Sequence, residues 1–174
     1  LFTYYVQYTT MTLVLQTSVG YTTTIVYPFN RFYPFWYNSY NGIIELLETL
    51  KSNGFKLGIV SNKYDFGVKN LNKYYFKDLI PVAIGEREGV RRKPAPDTVL
   101  TAMKELNAQK ESTLYVGDSG SDMITAQNAG VKGVGVTWGF RDAKSLKESG
   151  ADFLVDSPAQ LLDIAQNTKC ETAL

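Results

Sequence analysis

From Gly42 onward, apolar and polar positions follow two alternating rhythms. Ile43, Ile44, Leu46, Leu47 and Leu50 recur at helical spacing, and Asn53-Gly54 follows them as a stop signal. A short apolar run, Lys56–Val60, then enters Ser61-Asn62-Lys63. The pattern predicts a helix over about 64–75 and a strand within Leu79–Ile84. Pro94 and Pro96 precede a helical stretch, Asp97–Leu106, as proline does near a first turn. Thr113–Val116 reads as a strand leading into Gly117-Asp118-Ser119-Gly120-Ser121-Asp122 and a helix that ends by Asn128, with Gly130 as its stop. A strand over Gly133–Thr137 runs into Trp138-Gly139-Phe140. A helix at 142–149, a strand at Asp152–Val155 and a helix at 158–166 close the series.

Strands separated by helices of this length form right-handed crossovers, which predicts an α/β fold: a Rossmann-like parallel sheet with helices on both faces. Sites in such sheets lie beyond the carboxyl ends of the strands. The triplet at 61–63, the pair Asp118 and Asp122, and the loop 138–140 all follow strands, so they are expected to converge at one edge.

The first 41 residues break the rhythm. They are rich in Thr, Tyr and Phe, a composition that favours β or irregular structure over helix. Polar residues interrupt every apolar run long before the ~18 residues of a membrane span, and no basic stretch precedes an apolar one as in a signal peptide. Leu1 rather than Met leaves a fragment, a processed chain and a reading-frame error all open. The expected division is an atypical segment over 1–41, a core over 42–167 and a tail over 168–174.

Charge sharpens that division. Of the 35 charged side chains, only Arg31 lies before residue 45, whereas 13 of the 23 aromatic residues do. The net charge of +1 gives no reason to expect nucleic acid or an anionic membrane as partner. The chain has no histidine, which excludes Ser-His-Asp chemistry and histidine metal sites. Its single cysteine, Cys170, excludes an intramolecular disulfide and fits a reducing, cytoplasmic setting.

Asp118 directly follows an apolar strand, and Asp122 lies four residues on, in the first turn of the next helix. Two carboxylates so spaced can surround one point and hold a hard cation such as Mg²⁺, although one Asp there can equally cap the helix. Ser61 also sits between strand and helix, where a hydroxyl and nearby N–H groups bind an anion or simply cap. Lys93 closes a basic run, Arg91-Arg92-Lys93, and Pro94 favours extended backbone there, which would aim its ammonium at the Asp118 edge.

The stretches LGIVSNK at 57–63, GEREGVRRKPAPD at 85–97, VGDSGSDMITAQNAG at 116–130 and GVTWGFR at 135–141, with Tyr40-Asn41-Gly42-Ile43 ahead of them, resemble the haloacid dehalogenase-like phosphatases, and within them the phosphoglycolate phosphatase branch. The resemblance covers about residues 40–166. It implies a Mg²⁺-dependent phosphomonoester hydrolase that acts on a small phosphorylated metabolite such as phosphoglycolate, through an aspartyl-phosphate. By the same resemblance Ser61 binds the phosphoryl group, flanked by Asn62 and Lys63, and Lys93 neutralises nucleophile and phosphate. Asp118 is the direct metal ligand, Asp122 supports the metal waters and the lysine, and Trp138-Gly139-Phe140 borders the site.

One part of the family pattern is missing. The family opens on Asp-x-Asp-Gly-Thr after the central strand, its first Asp the nucleophile and its second the general acid–base, and a helical cap follows. Here the earliest Asp is Asp65, and no Asp-x-Asp occurs anywhere in the chain. The sequence therefore predicts a phosphatase core without its nucleophile and most of its cap, weak or absent Mg²⁺ binding, and no turnover. A stretch near 11–15 or 24–27 is expected to fill the central strand position. A non-catalytic phosphate-binding or protein-interaction relative is the competing reading. A phospho-acceptor receiver domain is disfavoured, because it places its lysine after its acidic residues rather than before them.

Overall fold

The computed structural model describes residues 9–17, 22–23, 26–29, 42–77 and 79–168. Strands apolar at nearly every position have to be covered on both faces, and the order of elements provides the cover. Three N-terminal strands, β1 (Thr9–Thr17), β2 (Thr22–Thr23) and β3 (Val26–Phe29), precede α1 (Ile43–Ser52), β4 (Phe55–Tyr64), α2 (Asp65–Tyr75) and β5 (Val82–Glu86). Then come α3 (Asp97–Leu106), β6 (Leu114–Gly117), α4 (Gly120–Ala129), β7 (Lys132–Val136), α5 (Ala143–Glu148), β8 (Phe153–Val155) and α6 (Pro158–Asn167).

Period-two alternation along the strands divides the core into two layers. Leu57 and Ile59 of β4, Leu114 and Val116 of β6, and Val134 and Val136 of β7 pack with Leu46, Leu47 and Leu50 of α1 and Leu161 of α6. Val60, Ile84 and Tyr115 pack on the other face with Val99, Ala102 and Met103 of α3 and Ala126 of α4. Each of these side chains is almost fully buried.

The strands pair in the order β5-β4-β1-β6-β7-β8, with β2 also on β4 and β3 also on β1. The pairs β4–β5, β6–β7 and β7–β8 are parallel, as the crossovers require. The strand expected near 11–15 is present as β1, and it fills the central position between β4 and β6. It departs from the parallel expectation, however: β1 runs antiparallel to both neighbours, with Thr12 opposite Val60 and Leu13 opposite Val116. Its amino end therefore lies at the edge where β4 and β6 finish, and its carboxyl end, Thr17, lies opposite Phe55 at the far edge. Either direction gives backbone hydrogen bonds to both neighbours, so the strands around β1 do not by themselves dictate which way it runs. β3 returns antiparallel to β1, with Phe29 opposite Thr9.

From α1 onward each predicted element except β4 is found within three residues of its expected bounds. The largest difference is β4, which continues through Ser61-Asn62-Lys63 to Tyr64. Its pairing with β5 shifts register between Val60 and Tyr64, so the polar triplet occupies an irregular strand end. The candidate strand near 24–27 is described only as β3 from Val26. Tyr40-Asn41, Cys170 and all of the 168–174 tail except Thr168 lie outside the described residues. No helix among the described residues is long and apolar enough to cross a membrane.

Candidate active site

The carboxyl ends of β4 and β6 and the loop before α3 bring Ser61, Lys93, Asp118 and Asp122 to one edge of the sheet. All four are buried. Ser61 continues β4, and its Oγ accepts a hydrogen bond from the Lys63 N–H at 3.2 Å. Asp65, which opens α2, accepts the Gly85 N–H at 2.9 Å and pairs with Lys69, fastening the end of β4 to that of β5. Burial opposes the charged form of Asp65. The Gly85 bond and Lys69, helped by Arg87, outweigh it and hold the carboxyl below its usual range.

The basic run divides by partner. Arg91 reaches Asp97 at 2.8 Å and Arg92 reaches Glu86 at 2.6 Å, and both side chains stay more than half exposed. Lys93 turns inward, its side chain only 3 % exposed, and its Nζ lies 2.7 Å from Asp122 Oδ1. A buried ammonium has to be paired, which explains the contrast with its two neighbours. The Lys93-Pro94 peptide is cis. Its two sides are held: Asn62 bonds both main-chain groups of Lys93, and Asn128 Nδ2 donates to the Pro94 carbonyl at 2.8 Å. Asn62, expected beside the phosphate, thus directs its amide at the lysine loop.

The two aspartates have opposite surroundings. Asp122 is the third residue of α4 and closes a capping box with Ser119: each side chain bonds the other's main-chain N–H. Oδ2 also accepts the Ser119 hydroxyl, while Oδ1 accepts Lys93 and the Tyr115 hydroxyl, the latter at 3.1 Å. Burial opposes the Asp122 charge, but Lys93 and these hydrogen bonds prevail and keep the carboxyl ionised below the usual range. Asp118 has one such partner. Its Oδ2 accepts the Phe140 N–H at 3.0 Å, and its Oδ1 is buried with no hydrogen-bond partner among the described residues. Burial first, and then the nearby charge of Asp122, push Asp118 up to about 6, against the weaker pull of Phe140 and Lys93.

A buried carboxylate oxygen with no donor is a fit place for a hard cation, which would offset the desolvation of Asp118. Asp122 is already engaged on both oxygens and suits a supporting role. Among the described residues no group of three His, Cys, Asp or Glu side chains assembles that could enclose a metal ion.

Several site residues carry little or no sequence signal. Tyr115 sits in an apolar strand, where only the need of a buried hydroxyl for a partner singles it out. Ser119 is visible in retrospect as a Ser-x-x-Asp capping box. Gly117, by contrast, is legible beside the aspartate pair as a residue that allows close backbone approach, and Gly139 does the same in the facing loop: a Cβ at either would stand 2.2 Å from the Cβ of Asp122 or of Asp118. The loop 138–140 does border the site, and it contributes a main-chain N–H rather than a side chain.

An α/β sheet with helices on both faces, carrying a serine, a buried lysine and an aspartate pair at one edge in that chain order, is the core of a haloacid dehalogenase-like hydrolase. Residues 36–136 match the model of that family, and the chain belongs to it. Among its relatives, the pyrophosphatase PpaX of Halalkalibacterium halodurans is 33 % identical over 126 residues, 72 % of this chain and 59 % of the relative. PpaX of Bacillus mycoides is 35 % identical over 129 residues, with the same coverage. A crystal structure of a candidate phosphoglycolate phosphatase from Lactobacillus delbrueckii subsp. bulgaricus superposes with a TM-score of 0.71 at 36 % identity, over 74 % of this chain and 54 % of that one. The chain therefore spans between half and three fifths of the length of these relatives.

Proposed function

We propose that this chain is the phosphate-recognising and metal-supporting part of a Mg²⁺-dependent phosphomonoesterase for a small phosphorylated metabolite such as phosphoglycolate, and that its 174 residues do not by themselves turn over substrate. Residues 42–167 constitute the core, and residues 1–41 stand in place of the usual first strand and cap. Ser61 donates its hydroxyl to a phosphate oxygen. Lys93 balances the charge of a bound phosphate while remaining anchored on Asp122. Asp118 holds the cation through its unsatisfied oxygen, and Asp122 keeps the lysine in place. A Mg²⁺ ion bound there would neutralise phosphate charge and orient the ester.

The observation that carries the no-turnover reading is β1. It occupies the central position without a carboxylate and presents its amino end at the site edge. Covalent catalysis needs an oxygen nucleophile in line with the phosphorus, and phosphomonoesters are among the slowest esters to hydrolyse unaided, with accelerations up to ~10²¹ recorded for enzymes. Positioning by the remaining groups is no substitute at a comparable rate. The two relatives named pyrophosphatase and the structure named as a candidate phosphoglycolate phosphatase support a small phosphorylated ligand.

The test is release of phosphate from an aryl phosphate by the purified chain with Mg²⁺. No release above that of heat-denatured protein is expected. Release that requires Mg²⁺ and disappears in Asp118→Asn would overturn the no-turnover reading.

A further inference from the structure

We infer that Asn62 is a positioning residue for Lys93 and not a phosphate ligand: its side-chain amide joins the end of β4 to the main chain of the lysine loop and thereby seats Nζ on Asp122. The carboxamide meets both peptide groups of one residue. Oδ1 accepts the Lys93 N–H at 2.8 Å, and Nδ2 donates to the Lys93 carbonyl at 3.4 Å. This reciprocal pair fixes the orientation of the amide, because exchanging O and N would set donor against donor and acceptor against acceptor.

Position matters because lysine is a poor structural anchor on its own. Its ammonium ends a flexible four-carbon stem, so a contact 2.7 Å long at Asp122 holds only if the start of the stem is fixed. Arg91 and Arg92 are tethered through their side chains to Asp97 and Glu86 and leave the Lys93 backbone to be held by other groups. Asn62 holds it from the β4 side, and Asn128, at the end of α4, holds the next carbonyl, that of Pro94. Two separate elements, β4 and α4, thus converge on two consecutive residues. Asn62 is also the immediate neighbour of Ser61, so the bond sets the spacing between the hydroxyl and ammonium ends of the site. The inference rests on the proposed function for the meaning of Lys93, but its geometry can be tested without any phosphate.

The direct experiment measures how fast each lysine of the intact chain is acylated by an amine reagent, followed by peptide mass spectrometry. In the native chain Lys93 should react far more slowly than Lys132, whose side chain is 60 % exposed. Asn62→Ala should speed labelling at Lys93 by roughly tenfold or more through local opening. Lys56, whose Nζ donates to the Leu106 carbonyl away from this loop, should keep its native rate. Asn62→Asp retains the acceptor for the Lys93 N–H and should fall between the two. Unchanged protection of Lys93 in Asn62→Ala would overturn the inference, and so would an equal rise at Lys56, which would make Asn62 a support of the whole fold.

A second readout is a double-mutant cycle on binding of inorganic phosphate, with Asn62→Ala and Lys93→Met singly and together. If Asn62 acts through Lys93, its substitution adds nothing once Lys93 is gone. If it touches phosphate, the two losses multiply. Should the native chain bind no phosphate, the proposed function fails and the labelling pattern alone decides the role of Asn62.

Discussion

The site edge of the sheet has two adjoining regions that differ in kind. At the ends of β4 and β6, the buried charged groups sit in local structures that their neighbours specify: Asp122 in a capping box, Lys93 in a Lys93-Pro94 pair held by two asparagines, Asp118 against a glycine-linked loop. In the central position between them lies β1, which pairs with both neighbours and satisfies their backbones but brings no carboxylate and runs the opposite way. A sheet demands hydrogen bonds from whatever fills a central position, and it does not demand a direction. Catalysis by an aspartyl nucleophile demands both a residue and a direction. A strand can therefore complete this fold without completing the chemistry.

Removing the ammonium should have the largest effect on this edge. Lys93→Met leaves the Asp122 charge buried without its counterion, and a loss of about 3–5 kcal/mol is expected in urea unfolding at neutral pH. The carboxyl of Asp122 is held low, so the stability it contributes is present above the ordinary carboxylate range and lost as pH falls through the folded-state value. The penalty of the substitution should accordingly shrink in acid.

Asp118 should behave in the opposite sense. Its carboxyl rises from the ordinary 3.8 to about 6, so the folded chain holds the proton more tightly than the unfolded one. Stability from this group is full below the ordinary value and is lost as pH rises through the folded-state value. Asp118→Asn should therefore stabilise the metal-free protein by roughly 2–3 kcal/mol near pH 8, with the gain fading below about pH 6 and absent below about pH 4. Thermal unfolding across that range checks it. Millimolar Mg²⁺ should raise the melting temperature of the native chain and leave that of the variant unchanged.

Gly139→Ala places a methyl group against Asp118 and should cost about 1–3 kcal/mol as the loop shifts. Loss of the Phe140 N–H bond should appear as faster amide exchange at that position. The smallest expected effect concerns β1: Thr17→Asp adds a carboxylate at the carboxyl end of the central strand, where the family carries its nucleophile, yet no phosphatase activity should result. Thr17 pairs with Phe55 at the far edge of the sheet. Activity in that variant would mean that β1 runs parallel to its neighbours.

Much of this was legible in the sequence, for physical reasons that differ by residue. Helices and parallel strands from α1 onward follow from periodicity and stop signals, because their packing is set by local pattern. Asp118 and Asp122 were visible from their spacing after a strand, and Lys93 from the proline beside it. The direction of β1 was not legible: Thr-rich alternation states that a segment is a strand, and a strand running either way can satisfy the backbones of its neighbours. The role of Asn62 was hidden for a related reason, since its partner lies 31 residues away in the loop before α3. The loop carrying Gly139 was read as bordering the site, but its steric need for glycine was not, as the atom that glycine must avoid belongs to another strand end.

The edge formed by β4 and β6 is proposed to recognise phosphate although the central strand supplies no nucleophile. Titration of the purified chain with inorganic phosphate, followed by ³¹P NMR with and without Mg²⁺, tests it most directly. Saturable binding that Mg²⁺ strengthens and Lys93→Met abolishes is the predicted result; no binding by the native chain, or equal binding by the variant, would contradict it.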